Sequence, residues 1–321
     1  MLIVPEATAQ ELVSREDAFT AIESVFAAMG RGDAYNFPVV REAIGHADAL
    51  YGFKSGFDRS EMILGVKAGG YWPGNADKGL TNHQSTVFLF DPDTGRPTAA
   101  VGGNYLTAVR TAASSSVSIR YLSRPDSKVL GMVGAGHQAA FQMRSALEQR
   151  SFERVVGWNI EPSMLDRLAE VAKEAGLPFE SVELQDLCGQ ADVIITITSS
   201  FEPMVMRDWV KPGAHIACMG TDTKGKQEVD SALVAAATAF TDEVAQSISI
   251  GEFQHAYAEK RVSEKDIVPI GAVVNGDHPG RTSEDEITLF DGTGVGLQDL
   301  AVAAAAVKRA QETGKAQEVE I

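Results

Sequence analysis

The chain has 321 residues, of which 44% are hydrophobic and 22% charged, as in an ordinary globular protein with one or two cores. Its net charge of −16 excludes nucleic acid as an expected partner, because a phosphate backbone binds to basic surfaces. No apolar run approaches a membrane-spanning length, and the first residues lack the basic segment of a signal peptide. Cys188 and Cys218 form no metal-binding or redox spacing, which is typical of a reducing compartment. We therefore expect a cytoplasmic protein that does not bind membranes.

The first third of the sequence predicts helices and short strands. Ser14 and Asp17 form a capping-box pattern ahead of apolar residues at helical spacing, which predicts a helix. The segments STVFLF and RPTAAVGG flank the turn DPDTG and predict a β-hairpin. A further helix is predicted from Asn104 through YLTAVRTAASSSVSIRYL, and SRPDS at 123–127 then indicates a domain junction.

The pattern changes after this junction. Short apolar runs alternate with helical stretches, and the runs are KVLGMV, ERVVGW, DVIITIT and AHIACMG. Strands that alternate with helices are typical of parallel βαβ units. The sequence therefore predicts an α/β fold in this region. The alanine-rich segment GLQDLAVAAAAVKRAQETG predicts one more long helix near the end of the sequence.

A glycine turn follows the first of these runs. Gly134, Gly136 and Ala139 fit the pattern GxGxxA between a predicted strand and a predicted helix. In this pattern the first glycine allows the tight turn, and the second lets the backbone approach a pyrophosphate. A plain structural corner is the alternative interpretation. We favour dinucleotide binding, because the next predicted strand ends at Asn159, where a ribose-binding residue is expected.

Asn159 bears on the choice of coenzyme. An acidic residue there would bind the ribose hydroxyls and repel a 2′-phosphate, so an asparagine leaves NADP possible. The segment WNIEPS offers no arginine or lysine to hold that phosphate, and Glu161 would oppose it. We therefore favour NAD over NADP.

Several segments together carry a family resemblance. They are GVKAGGYWPGN, HQSTVFLFDPDTGRPTAAVGGNYLTAVRTAA, VGAGHQA, ADVIITITSSFEP, WVKPGAHIACMGTDTKGKQEVD and ITLFDGTGVGLQDLAVA. In this order they resemble the ornithine cyclodeaminase/μ-crystallin family over nearly the whole chain. The resemblance implies a Rossmann dinucleotide-binding domain over 123–299. It also implies an α+β substrate-binding and dimerisation domain built from 1–122 and 300–321, and a homodimer.

The resemblance also assigns roles to individual residues. It implies that Lys67 and Arg41 bind the substrate carboxylate, with Lys67 also catalytic, and that Arg110 serves both substrate and cofactor. Asp222 of GTDTKGK matches the catalytic acid or base of the family. The remaining positions implied to contact the cofactor are Gly134, Gly136, His137, Gln138, Asn159, Thr198, Met219, Lys226 and Gly292.

The chemistry of a 2-imino acid is consistent with these roles. A charge-assisted pair between its carboxylate and Lys67 or Arg110 would fix the neighbouring carbon for hydride attack. The Asp222 carboxylate would donate a proton or stabilise an iminium cation. His83 is either a structural histidine or a substrate contact. The histidines show no metal-binding spacing, so no metal is expected.

Within the family we favour an NAD(P)H-dependent reductase that converts a 2-imino acid into an L-amino acid. The favoured substrate is iminosuccinate, which gives L-aspartate, because ASSS at 113–116 and His83 offer extra hydrogen bonds to a dicarboxylate. The alternatives are a cyclodeaminase that releases ammonia with catalytic NAD, an alanine dehydrogenase, a cyclic ketimine reductase, and a non-catalytic NAD(P)H-binding protein like μ-crystallin.

Overall fold

The protein is described from a computed structural model, which covers residues 1–320. Its strands are β1 (Leu2–Val4), β2 (Ala34–Asn36), β3 (Val40–Ala43), β4 (Leu50–Asp58), β5 (Ile63–Tyr71), β6 (His83–Phe90), β7 (Pro97–Gly102), β8 (Val129–Val133), β9 (Arg154–Trp158), β10 (Phe179–Ser181), β11 (Val193–Thr196), β12 (His215–Cys218), β13 (Thr238–Thr241), β14 (Ile267–Pro269), β15 (Thr288–Asp291) and β16 (Gln317–Glu318).

The helices within the same residues are α1 (Glu6–Leu12), α2 (Arg15–Arg31), α3 (Asn104–Leu122), α4 (Ala139–Ala146), α5 (Asp166–Glu174), α6 (Leu184–Gln190), α7 (Ser231–Ala236), α8 (Val244–Ser247), α9 (Gln254–Ala258), α10 (Ile270–Val274) and α11 (Gly296–Glu312). Short 3-10 turns lie at Pro73–Lys78, Pro162–Leu165, Arg207–Trp209 and Glu264–Asp266. None of the helices in 1–320 combines the length and apolar composition needed to cross a membrane.

The chain divides into two compact units, and the first is built from residues 1–110 and the segment that begins at Val295. Its sheet has the order β16-β1-β7-β6-β5-β4-β2, with β3 also paired to β4. All pairs are antiparallel except β1 with β7. Helix α11 packs on β4 and β5 and against α2, whose buried face includes Ile22 and Phe26. The predicted capping box at Ser14 and Asp17 is present, and the predicted β6–β7 hairpin forms.

The second unit comprises residues 111–294. Its sheet has the order β10-β9-β8-β11-β12-β15-β13-β14, and every neighbouring pair is parallel. The chain runs outward from β8 through β9 to β10 and then returns to β11 on the other side of β8. This reversal is the switch point of a doubly wound Rossmann sheet, at which such sheets bind ligands. The predicted fold class is confirmed.

The boundaries of the two units fall after Arg110 and after Gly294. The first boundary therefore lies inside α3, whereas the sequence places it at the end of that helix, after residue 122. The second precedes α11, so the whole of that helix belongs to the first unit. Residues 295–299, which the sequence assigns to the Rossmann domain, include the first turn of α11.

Candidate active site

A buried cluster of charged side chains lies in the first unit. Lys67 on β5 and Arg110 on α3 are 7% and 6% exposed, and Asp299 on α11 is completely buried. Lys67 Nζ lies 2.9 Å from Asp299 Oδ2, and Arg110 Nε donates to Asp299 Oδ1 at 2.9 Å. The neighbouring Gln298 accepts a second bond from Arg110 at 2.9 Å. Asp299 thus holds together the two cations that were expected to bind a substrate carboxylate.

The strand register gathers more cations on the face that carries Lys67. Lys54 on β4 lies directly opposite Lys67, and Arg41 on β3 lies opposite Gly52, two residues before Lys54. Directly paired residues, and residues two apart along a strand, share a face of the sheet. Arg41, Lys54 and Lys67 therefore lie on one face. Arg41 is exposed and Lys54 is partly buried.

His83 lies on the same face. It is paired with Tyr71, four residues beyond Lys67 on β5. Burial, followed by the charge of Lys67, lowers the pKa of His83 to about 3. The imidazole is therefore neutral at physiological pH and acts as a polar group rather than as a further cation. Both predicted interpretations of His83 are compatible with this position.

Glycines bring α11 close enough for Asp299 to reach the sheet. A Cβ atom on Gly65 would lie 2.8 Å from Leu300 Cδ2, and one on Gly56 would lie 3.0 Å from Leu297. Larger residues at these positions would push the helix away from β4 and β5. In the sequence, Asp299 and Gln298 appear only as parts of a predicted helix, and Lys54 was not predicted as a site residue. The feature that could have indicated Lys54 is its position as the one lysine in the glycine-containing stretch YGFKSGF.

Positive charge dominates this cluster. Burial lowers the pKa of Lys67 to about 7; Asp299 opposes this shift, and Arg110 and Lys54 add to it. Burial by itself would raise the pKa of Asp299, but Arg110 and Lys67 hold it below its usual value. A single carboxylate therefore faces several cations. Such a site favours an anionic ligand, because a second negative charge would relieve the repulsion among the cations.

The glycine turn of the second unit has the form predicted for a dinucleotide site. Gly134 has φ of 103°, and a Cβ atom there would lie 2.6 Å from the carbonyl oxygen of Ile197. Gly136 has nothing within 4 Å of its Cβ position, so the space beside the turn is open. Oε1 of the next-but-one residue, Gln138, is buried without a hydrogen-bond partner among residues 1–320. An open cradle and an unpaired acceptor at the start of α4 fit a nucleotide ligand.

Asn159 lies at the end of β9, beside this turn. Its Oδ1 accepts from the backbone N–H of Ala135 at 3.0 Å, and its Nδ2 donates to the carbonyl of Glu161 at 2.7 Å. The amide thus ties the glycine turn to the segment that follows β9. An aspartate could accept the first bond but could not donate the second.

Asp222 lies in the turn after β12. Lys226 Nζ lies 2.8 Å from Asp222 Oδ1 and donates to the carbonyl of Gly220 at 3.1 Å. The hydroxyl of Thr223 donates to the same Asp222 oxygen at 3.2 Å. The side chain of Asp222 remains 38% exposed, so it can reach a ligand. The predicted catalytic acid and the predicted cofactor lysine therefore form an ion pair.

The remaining predicted cofactor residues lie around the same edge of the parallel sheet. Thr198 follows β11 and donates to Glu228 from both its N–H and its hydroxyl, at 2.6 and 2.8 Å. A Cβ atom on Gly292 would lie 2.5 Å from Met219 Cε, so these two residues are in contact. His137 is exposed, and its ring packs on Phe141 at 5.6 Å. No group of three or more His, Cys, Asp or Glu side chains in 1–320 is arranged to hold a metal ion.

Comparison with known proteins identifies the family. The sequence profile of the ornithine cyclodeaminase/mu-crystallin family matches residues 2–314. The chain belongs to this family. It is 65% identical to the iminosuccinate reductase of Paracoccus denitrificans (strain Pd 1222) over 321 residues, which cover 100% of both chains.

Solved structures agree with this assignment. The crystal structure of the Paracoccus denitrificans iminosuccinate reductase in complex with NAD+ superimposes with a TM-score of 0.97, covering 100% of this chain and 99% of that one. The Δ1-pyrroline-2-carboxylate reductase of Thermococcus litoralis, in complex with NADH and L-proline, is 28% identical. It has a TM-score of 0.94 and covers 99% of this chain and 100% of its own. The predicted family and its Rossmann domain are confirmed.

Proposed function

We propose that this protein is an NADH-dependent oxidoreductase that reduces a 2-imino acid to an L-amino acid, with iminosuccinate as the substrate and L-aspartate as the product. The observation that carries this proposal is the cationic cluster around the Asp299 carboxylate, in which Lys67 and Arg110 are buried and Lys54 is partly buried. The family membership and the 65% identical iminosuccinate reductase support it.

The charge of the cluster favours a dicarboxylate. Lys67 and Arg110, joined by Asp299, would hold the carboxylate next to the reacting carbon. Lys54, opposite Lys67 on β4, provides the second cationic position that a distal carboxylate needs. An alanine dehydrogenase or a cyclic ketimine reductase would need an apolar wall there instead. Arg41 and the neutral His83 lie on the same face of the sheet and would supply further polar contacts.

The cofactor would be held mainly by the second unit. We assign it to the glycine turn of Gly134 and Gly136 and to the other predicted positions, which are Arg110, His137, Gln138, Asn159, Thr198, Met219, Lys226 and Gly292. NADH supplies a hydride when it is bound. The preference for NAD over NADP rests on Glu161, whose carboxylate follows Asn159 and would repel a 2′-phosphate.

The residues of this chain would orient the substrate and manage its charge. Charge-assisted bonds from Lys67 and Arg110 would fix the imino carbon, which is the main contribution expected of a site that positions its reactant. Asp222, oriented by Lys226, would stabilise the iminium cation or deliver a proton to the nitrogen.

The decisive test follows NADH absorbance at 340 nm while oxaloacetate and ammonia generate iminosuccinate. We expect NADH to be consumed in step with L-aspartate formation. Pyruvate with ammonia is the matched monocarboxylate. Lys54→Met should lower kcat/KM for iminosuccinate by about 10- to 150-fold, since one charge-assisted bond is worth roughly 1.5–3 kcal/mol. It should have little effect on reduction of the monocarboxylate.

Two outcomes would contradict the proposal. Release of ammonia from ornithine without net change in NADH would indicate a cyclodeaminase. An equal loss for both substrates in Lys54→Met would remove Lys54 from recognition of the distal carboxylate.

We also propose that the protein is a cytoplasmic homodimer. Tyr35, Val40, Tyr51 and Phe53 are 39–44% exposed and share the sheet face opposite to that of Lys67, as their pairing shows. Large contiguous apolar patches are typical of interaction surfaces. Cys188 and Cys218 are both free and buried, which suits a reducing compartment.

A further inference from the structure

Three carboxyl groups lie completely buried beneath the loops that carry Thr198 and Asp222. Glu228 and Asp291 are 0% exposed, and Glu252 is 1% exposed. None of the three forms an ion pair with any other residue in 1–320; their partners are backbone N–H groups and hydroxyls. Three uncompensated negative charges in so dry a place would be very costly. Some of these groups must therefore carry a proton.

The hydrogen bonds of Glu228 favour its ionised form and oppose the effect of burial, which raises its pKa. Its Oε1 accepts from the N–H and hydroxyl of Thr198, at 2.6 and 2.8 Å. Its Oε2 accepts from the N–H of Gly220 at 2.9 Å and from the hydroxyl of Thr196 at 2.7 Å. Both oxygens thus face a backbone N–H, which can only donate. Four donors therefore stabilise the carboxylate form of Glu228, which can only accept.

Glu252 is different, because only one of its oxygens faces backbone donors. Its Oε1 accepts from the N–H groups of Glu228 and Val229, both at 2.8 Å. Its Oε2 meets the hydroxyl of Thr221 in a short contact. A hydroxyl can accept as well as donate, so Oε2 can carry a proton and donate it to Thr221.

These bonds link the chain where two loops begin, those that carry Thr198 and Asp222, which we call the cofactor loops. Glu228 bonds to the end of β11 and to Gly220, which follows β12. Glu252, which lies in the loop before α9, bonds to Thr221 and to the backbone at Glu228 and Val229. Gly220 has room only for hydrogen at Cα, since a Cβ atom would lie 2.5 Å from Glu228 Oε1. The backbone N–H of Glu252 in turn donates to Asp291 Oδ2 at 2.9 Å, directly before Gly292. The carboxyl groups therefore fix the starting positions of Thr198, Asp222 and Gly292.

We propose that Glu228 and Glu252 are positioning residues for the cofactor loops, and that the loops hold NADH only while Glu252 carries a proton facing Thr221. This inference rests on the NADH binding proposed above. Loss of that proton would place two like charges side by side in the interior, and the 219–228 segment would have to move to relieve them.

The surroundings of Glu252 support a proton that is lost in the mildly alkaline range. Burial, and then the charge of Glu228, raise the pKa of Glu252 to about 8. The other titratable groups that face this site are Cys218 on β12, Asp291 on β15 and Asp242 after β13. Burial raises the pKa of the Cys218 thiol and of Asp291 well above their usual values, which favours the neutral form of both.

The test measures the Kd of NADH between pH 6 and pH 9.5 for the full chain and three variants. With a pKa of about 8, about a tenth of the wild-type protein keeps the proton at pH 9, so its Kd should be about tenfold higher than at pH 7. In Glu252→Gln the amide mimics the protonated acid, and the Kd should stay the same from pH 7 to pH 9. Glu264→Gln, which changes an exposed carboxylate of the same unit, should follow the wild type.

Glu228→Gln should weaken NADH binding, in contrast to Glu252→Gln. Whichever way the amide is turned, its NH2 group meets the N–H of Thr198 or of Gly220, so NADH should bind at least tenfold more weakly at every pH. Infrared spectra provide a readout that needs no cofactor. The carbonyl band of a buried protonated carboxylic acid should be weaker in Glu252→Gln than in the wild type, and this holds even for a chain that binds no NADH.

Three results would overturn the inference: a wild-type Kd that does not change up to pH 9, the wild-type pH dependence persisting in Glu252→Gln, or a folded Glu228→Gln with unaltered affinity. Absence of NADH binding by the wild type at all pH values would instead contradict the proposed function, and the infrared comparison would still test the proton on Glu252.

Discussion

Lys226 determines how the Asp222 carboxylate is presented. The lysine bonds to Asp222 Oδ1 and to the carbonyl of Gly220, so it fixes the acid relative to the backbone of its own turn. A cofactor contact and an ion-pair partner are compatible roles for one lysine. The pairing means that a change at position 226 would also alter the acid, so Asp222 is the cleaner position to test.

Asp222→Asn retains the size of the side chain and removes its charge. If the carboxylate stabilises the iminium or delivers a proton, kcat should fall by about 10²- to 10⁴-fold while NADH still binds. Steady-state kinetics at saturating NADH measure this effect. Asp277→Asn, an exposed acid in the same unit, is the control. A kcat close to that of the wild type would leave protonation to water and remove Asp222 from the mechanism.

At the scale of single residues, the sequence predicted what local motifs encode. Lys67, Arg110 and Asp222 lie in segments that resemble family motifs, and the structure places the first two against one carboxylate. That carboxylate, Asp299, lies 232 residues from Lys67 in the chain. No local pattern reports a contact over such a distance. The contacts that Glu228 makes with Thr196 and Thr198, and Glu252 with Thr221, likewise join segments about 30 residues apart and could not be predicted from a local motif.

At the scale of secondary-structure elements, the strands that form continuous apolar runs could be predicted from the sequence. Strands β8, β9, β11 and β12 are buried on both faces and appear in the sequence as apolar runs. Strands β4 and β5 were not identified, because glycines at 52, 56, 65, 69 and 70 make them resemble loops. Those glycines allow close packing between strands and against α11. The glycines that made β4 and β5 hard to predict are thus needed for the packing of the site that these strands carry.

The glycine turn between β8 and α4 gives a prediction for a pair of variants. Gly136→Val adds a side chain into open space and should abolish NADH binding in a folded protein. Gly134→Val should destabilise the fold itself, because φ of 103° is strained for valine and its Cβ would meet the backbone at Ile197. Thermal unfolding and NADH titration of both variants separate these effects. Full NADH affinity in folded Gly136→Val would contradict a cofactor at this turn.

At the scale of the whole molecule, the exposed aromatic face of the first unit leads to a prediction about assembly. Light scattering should give twice the 34.2 kDa mass of one chain. Phe53→Asp should shift the mass towards that of a single chain, since a charge on an apolar contact is costly to bury. Ile160→Asp changes an apolar residue that is 87% exposed in the second unit, and it should leave the mass unchanged. A wild-type mass of one chain would contradict the homodimer.

The first unit is built from two segments that are far apart in the chain, and this affects its folding during protein synthesis. Residues 111–294 are continuous and can fold as soon as they leave the ribosome, because domains generally fold as units in the order in which they emerge. Strand β1, made first, must wait for β7 and then for β16, its antiparallel partner. Lys67 and Arg110 likewise stay without Asp299 until α11 is made. A nascent chain stopped before residue 295 would thus contain every strand of the parallel sheet, whereas Lys67 and Arg110 would lack the carboxylate that neutralises them.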